Sequence, residues 1–139
     1  MADYELIDHT ADIGIIVRAD NLKGLFAGCA RAMFDVIAQA PESFQGLETK
    51  KCAVALRGED SKELLVLWLS ELLSLSDCED IYFTDFDIQQ ISEKNIRAEV
   101  SGFYRRYFEG KREVKAVTYH DLSVRETQGG LEARVIFDV

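Results

Sequence analysis

Two stretches of this chain repeat their apolar residues every three or four positions, while most of the rest repeats them every two. Leu22, Leu25, Phe26, Cys29, Ala30, Met33, Phe34 and Ile37 make the stripe of one amphipathic helix, which Asp20 or Asn21 would cap. Leu64, Leu65, Trp68, Leu69, Leu72 and Leu73 make a second, and Leu67 and Leu75 widen it enough to be covered on more than one side. Asp60 followed by Glu63 is a capping-box-like start for that helix. Period-two alternation runs through Ile13, Ile15 and Val17; Cys52, Val54 and Leu56; Ile81 and Phe83; Phe86 and Ile88; Ile96, Ala98 and Val100; Val114, Ala116 and Thr118; and Leu131, Ala133, Val135 and Phe137. Many short strands with only two helices predict an α+β domain, not a doubly wound parallel sheet. The expected form is two layers, a mostly antiparallel or mixed β-sheet with both helices packed on one face. A chain of 139 residues, 47% of them hydrophobic, can bury a continuous core, so residues 1–139 read as a single domain.

Charge narrows the function classes. A formal net charge of −9 repels polyphosphate, so a nucleic-acid role is expected to be indirect. Met1-Ala2-Asp3-Tyr4-Glu5 is acidic where a signal peptide is basic and then apolar, and the conspicuous apolar run, Leu64 to Leu69, is too short to span a bilayer. Cys29, Cys52 and Cys78 are odd in number and lack a Cys-x-x-Cys pair, which suits reduced thiols in a cytoplasmic protein and disfavours a thiolate zinc site. Cys29 lies on the helix stripe and reads as core filler. Nucleotide-binding glycine loops and the G-x-S-x-G hydrolase signature are missing.

The densest polar chemistry is Asp8-His9-Thr10-Ala11-Asp12, immediately ahead of the strand Ile13 to Ala19. Such a cluster either forms a solvated turn, with Asp and Thr bonding nearby amides, or converges on a cation or a partner. Gly14 in the strand implies a close backbone approach or a bulge. At the other end of the chain, Phe137-Asp138-Val139 delivers a side-chain carboxylate and the α-carboxylate within one residue. A hard cation takes several oxygens, and Asp12, Asp138 and Val139 supply them if the first and last strands are neighbours. Lys115 to His120 place polar side chains on both faces of a strand expected to be central, and His120 is either a site residue or a structural histidine. Glu59 and Asp60 are either functional acids or carboxylates favoured by a helix N-terminus. Arg105, Arg106, Lys111, Arg112 and Lys115 form a local basic cluster, either a partner surface or a solvated hairpin.

Taken together, Asp8-His-Thr-Ala-Asp12-Ile-Gly14, the Leu22 to Met33 helix, Glu59-Asp60 before Trp68-Leu-Ser-Glu-Leu72, Val114-Lys-Ala-Val-Thr-Tyr-His120 and the closing Phe137-Asp138-Val139 resemble the archease family over essentially the whole chain. The resemblance implies a small α+β accessory protein of the GTP-dependent RNA ligase of tRNA splicing and RNA repair. Such a protein promotes guanylylation of the ligase's active-site histidine and its multiple turnover. It also implies a divalent metal ion, calcium first with magnesium or manganese as alternatives, held by Asp12, Asp138 and Val139. His9, Lys115 and His120 are weaker candidates for orienting the site or touching the partner. On this reading tRNA is met only through the ligase and no membrane is involved. Two alternatives stay open: a chaperone-like modulator of tRNA-modifying enzymes, such as a tRNA methyltransferase, and a stand-alone metal-dependent enzyme whose nucleophile would be metal-activated water.

Overall fold

The changes of period mark the boundaries of the elements. The computed structural model describes residues 2–8 and 12–139, with Asp8 described by its backbone alone. In chain order come β1 (Asp3–Asp8), β2 (Asp12–Ala19), α1 (Leu22–Ile37), β3 (Ala38–Gln39), β4 (Lys50–Arg57), α2 (Ser61–Glu79), β5 (Ile81–Ile91) and β6 (Asn95–Tyr104). A 3-10 turn (Arg105–Tyr107), β7 (Glu109–Gly110), β8 (Ala116–Thr127) and β9 (Gly130–Asp138) complete it. The α+β class, antiparallel pairing and two helices are as expected from the sequence.

Both helices begin at side-chain caps. The Asn21 Oδ1 accepts the Gly24 N–H at 2.9 Å, and the Asp60 Oδ1 accepts the Glu63 N–H at 2.9 Å. The Glu63 Oε1 in turn accepts the Glu59 N–H at 3.0 Å. The Asp60 carboxylate therefore caps α2, with Glu59 joining through its backbone N–H alone; replacing a cap of this kind by alanine costs about 1 kcal/mol.

Long-range pairing divides the strands into a four-stranded sheet, β1-β2-β9-β8, a three-stranded sheet, β4-β6-β5, and the short β3–β7 ribbon. Helix α1 packs on β2 and β9 of the first and on β5 of the second, while α2 packs on β8 of the first and on β4 and β5 of the second. Sheet on two sides explains why both helices are apolar over so wide an arc. Trp68, Phe26, Phe83, Phe137 and Ile15 are fully buried between them, each worth roughly 1.5–3 kcal/mol of burial. The Trp68 indole N–H donates to the Phe26 carbonyl at 3.0 Å, fixing α2 on α1. Cys29 is wholly buried, and burial pushes its thiol up, out of reach of thiolate chemistry.

Three local expectations change. Residues Ile81–Ile91 are one strand with two register shifts, at Phe83/Asp85 and Ile88/Gln90, where alternation alone suggests two. The strand holding Lys115 to His120 is not central: β8 is an edge of the four-stranded sheet, paired among the described residues to β9 alone, which accommodates polar groups on both of its faces. Gly14 sits in unbroken register, so it marks no bulge.

Candidate functional site

The two acids singled out at opposite ends of the sequence meet across one rung. β2 and β9 are antiparallel neighbours, and Asp12 is the register partner of Asp138. Directly opposed residues send their side chains from the same face of a sheet, with Cα atoms about 4.5–5.5 Å apart. Ile13, Ile15, Val17, Ala133, Val135 and Phe137 occupy the helix-covered face. Asp12 and Asp138 therefore share the outer face, at the end of the sheet where β2 begins and β9 ends. Ala116 continues the same rung on β8, and the Lys115 N–H donates to the Asp138 carbonyl at 2.8 Å, bringing the exposed Lys115 to this end as well. Val139 follows directly, partly packed on the core.

The rung behind the acids is apolar. Gly14 lies between Ile7 on β1 and Ile136 on β9, and Ile136 is buried although it faces away from the helices. A Cβ on Gly14 would meet the Ile136 Cδ1 at 2.7 Å and the Ile7 Cβ at 3.3 Å. The glycine thus admits a side chain, where the sequence suggested backbone, and the isoleucines make a dry floor beside the acid pair. Thr118 closes the rung, its hydroxyl donating to the Ile136 carbonyl at 3.0 Å.

The Asp12 Oδ1 is buried and has no hydrogen-bond partner among the described residues. A carboxylate oxygen withdrawn from water in this way is costly unless something compensates it. A second carboxylate opposite raises that cost, whereas a cation removes it. Among the described residues no three His, Cys, Asp or Glu side chains form a metal-binding group. The side chains of the rung carry two carboxylates, and the main chain of Val139 lies next to Asp138. An oxygen-only donor set suits a hard divalent cation and offers nothing to a thiolate-seeking metal.

His9 lies outside the described residues. His120 is displaced from the acid rung along β8, with its side chain 72% exposed and its Nε2 3.4 Å from the Asp121 Oδ2. The basic cluster separates into individual roles. Arg105 bonds the Ser76 hydroxyl at 2.9 Å and the Asp77 carboxylate at 2.6 Å, and lies over the Tyr82 ring. Arg106 lies against the rings of Tyr104 and Tyr107. The Lys111 Nζ donates to the Asp35 carbonyl at 2.7 Å. Those three basic side chains are engaged locally, which favours the structural side of the expectation for the 105–112 segment.

Sequence reasoning missed the isoleucine floor, although a signal for it existed: Val135-Ile136-Phe137 breaks alternation with three apolar residues in a row, as a strand covered on both faces does. A concavity of about 570 Å³ around Arg57, Gln90 and Arg97 is lined wholly by residues of the other sheet and its connecting turn, away from the acids.

Comparison with known proteins agrees with this architecture. Residues 4–139 match the model of the Archease protein family. A protein archease of Methanosarcina mazei is 37% identical over 98% of this chain and 95% of its own length. One from Pyrococcus furiosus is 37% identical over 94% and 93%. Among solved structures, the solution structure of Methanobacterium thermoautotrophicum protein 1598 superposes with a TM-score of 0.71 at 28% identity, covering 98% of both chains. The crystal structure of a Thermotoga maritima protein described as an archease, possible chaperone, shares the fold, with a TM-score of 0.67 at 21% identity over 96% of this chain and 94% of that one.

Proposed function

The chain belongs to the archease family, and from that premise we propose that it is an accessory protein of the GTP-dependent RNA ligase of tRNA splicing and RNA repair, acting with a divalent cation at the Asp12–Asp138 rung. The observation that carries the metal reading is the buried Asp12 Oδ1, which has no hydrogen-bond partner among the described residues and lies across one rung from a second carboxylate. Asp12 and Asp138 would hold the ion, with main-chain oxygen from Val139. Calcium, magnesium and manganese all fit an oxygen donor set. When bound, such an ion supplies positive charge and Lewis acidity to phosphate oxygens in a neighbouring site. This chain's own groups position it: Ile7 and Ile136 exclude water from one side, and the Lys115 amide fixes the Asp138 backbone.

An accessory role fits the chemistry better than independent catalysis. Neither carboxylate has a Ser, Cys or Lys nucleophile hydrogen-bonded to it among the described residues. The protein's acidity suits a cationic protein active site and opposes direct capture of tRNA. Its client is accordingly the ligase, in a cytoplasmic setting, with the ligase's own histidine as nucleophile. No helix among the described residues is long and apolar enough to cross a membrane. The test is multiple-turnover ligation by the purified ligase with and without this chain, in the presence of divalent metal. Repeated turnover that requires the chain supports the reading, and identical progress curves overturn it. Stimulation of a tRNA methyltransferase in place of the ligase would transfer the accessory role to the chaperone-like alternative.

A further inference from the structure

β8 leaves its ladder at one place. Thr118 faces Ile136 and Ser123 faces Arg134, so β8 takes five residue steps where β9 takes two. Three extra residues must therefore bulge from an edge strand, just beyond the rung that floors the acid pair. Asp121 within the bulge has φ 52°, a left-handed conformation that costs free energy for any residue with a Cβ. The side chains there face solvent: Tyr119 is 60% exposed, and the His120 and Asp121 side chains are 72% and 60% exposed. A bulge by itself discourages unwanted strand pairing at an edge. Edge protection does not require an exposed aromatic ring, which a polar residue would replace at no cost to that purpose.

The position and charge of the bulge define what it fits. It flanks the acid rung on the same sheet, so a protein whose active site receives Asp12 and Asp138 also meets Tyr119. Acids outnumber bases there: Asp121 is on the bulge itself and Asp138 and Asp12 are beyond it, against Arg134 on the rung that closes the bulge and Lys115 beside the acids, and the chain as a whole is at −9. Phosphate strands are repelled from such a surface, while a protein surface with arginine or lysine is attracted. We propose that Tyr119-His120-Asp121 is the docking handle of this chain: the Tyr119 ring enters an apolar socket on the ligase, and Asp121 meets basic residues on the socket's rim. The proposal deepens the activator reading and rests on it.

The experiment titrates the ligase with wild-type chain, Tyr119→Ser, Tyr119→Phe and Asp121→Asn, reading the dissociation constant and the ligation rate at saturation. All four should melt nearly alike, since the Tyr119 and Asp121 side chains are mostly exposed. Tyr119→Ser is expected to raise the dissociation constant about tenfold or more, the scale of an aromatic anchor, while saturating amounts restore full stimulation. Tyr119→Phe should bind as wild type, and Asp121→Asn should bind more weakly with a shallower dependence on salt. Wild-type affinity in Tyr119→Ser overturns the handle while leaving the activator reading intact, as does normal binding without stimulation. Tyr119-dependent binding of a single-stranded RNA oligonucleotide by this chain alone also overturns it, by making the ring a base-stacking platform. A wild-type chain that neither binds nor stimulates the ligase removes the activator reading and the handle together.

Discussion

The two ends of the outer face of the four-stranded sheet are built from the same strands and treat their charges in opposite ways. At the turn end, Arg18 on β2 reaches Glu5 on β1 at 2.8 Å and Glu132 on β9 at 3.1 Å, and Arg125 on β8 reaches Glu132 at 2.7 Å. Each acid there has a guanidinium, and the Glu132 carboxyl is held below its usual range, chiefly by its hydrogen bonds from Arg125. At the open end, Asp12 and Asp138 face each other, and the Asp12 Oδ1 has no partner among the described residues. A structural polar face pairs its charges across strands, as the turn end does. The open end departs from that rule on the same two strands, and the proposed cation is what would complete it.

The isoleucine floor is where the contrast breaks most easily. Gly14→Val would drive branched carbons between Ile7 and Ile136, and overpacking of this kind costs roughly 1–3 kcal/mol. Urea denaturation should show that loss, together with weakened metal binding, because Ile136 lies on the rung beside the acids. A Gly14→Val protein with wild-type stability would mean that the floor beside the acid pair is loosely packed.

A smaller effect sharpens the contrast from the turn end. A carboxyl whose folded pKa is depressed stabilises the fold above the ordinary carboxylate range, and that contribution disappears as pH falls through the folded value. Glu132→Gln should therefore lower the melting temperature slightly at neutral pH and make no difference in acid. Because these pairs are solvent-screened, high salt should shrink the difference too. Metal binding at the open end should be untouched. A Glu132→Gln protein that loses metal affinity would show the two ends to be one electrostatic unit.

Much of this architecture is legible in residue spacing. The stripe from Leu22 to Ile37, the Asp60–Glu63 cap and the alternation of β2 and β9 give the helices, their starts and the core face, because those are local properties. The approach of Asp12 to Asp138 is inferable from one acid opening a strand and another closing one. The division into two sheets, the edge position of β8 and its bulge are not inferable in that way. Register and neighbour choice are set by tertiary packing, and Lys115 to His120 alternate just as they would in a central strand. Arg105 shows the same limit, since nothing in its sequence context points to Ser76 and Asp77 on α2.

The most direct measurement is thermal melting of wild type and Asp12→Ala, each with and without calcium, magnesium or manganese. Asp12 contributes no apolar area to the core, so metal-free Asp12→Ala should melt with wild type, or above it if the opposed carboxylates repel. Metal at a hundred times its dissociation constant should stabilise wild type by about 2.7 kcal/mol and leave Asp12→Ala unmoved. Asp12→Ala melting far below metal-free wild type would make the residue a structural turn acid. An equal rise with metal in both proteins would place the ion elsewhere and contradict the metal centre at this rung.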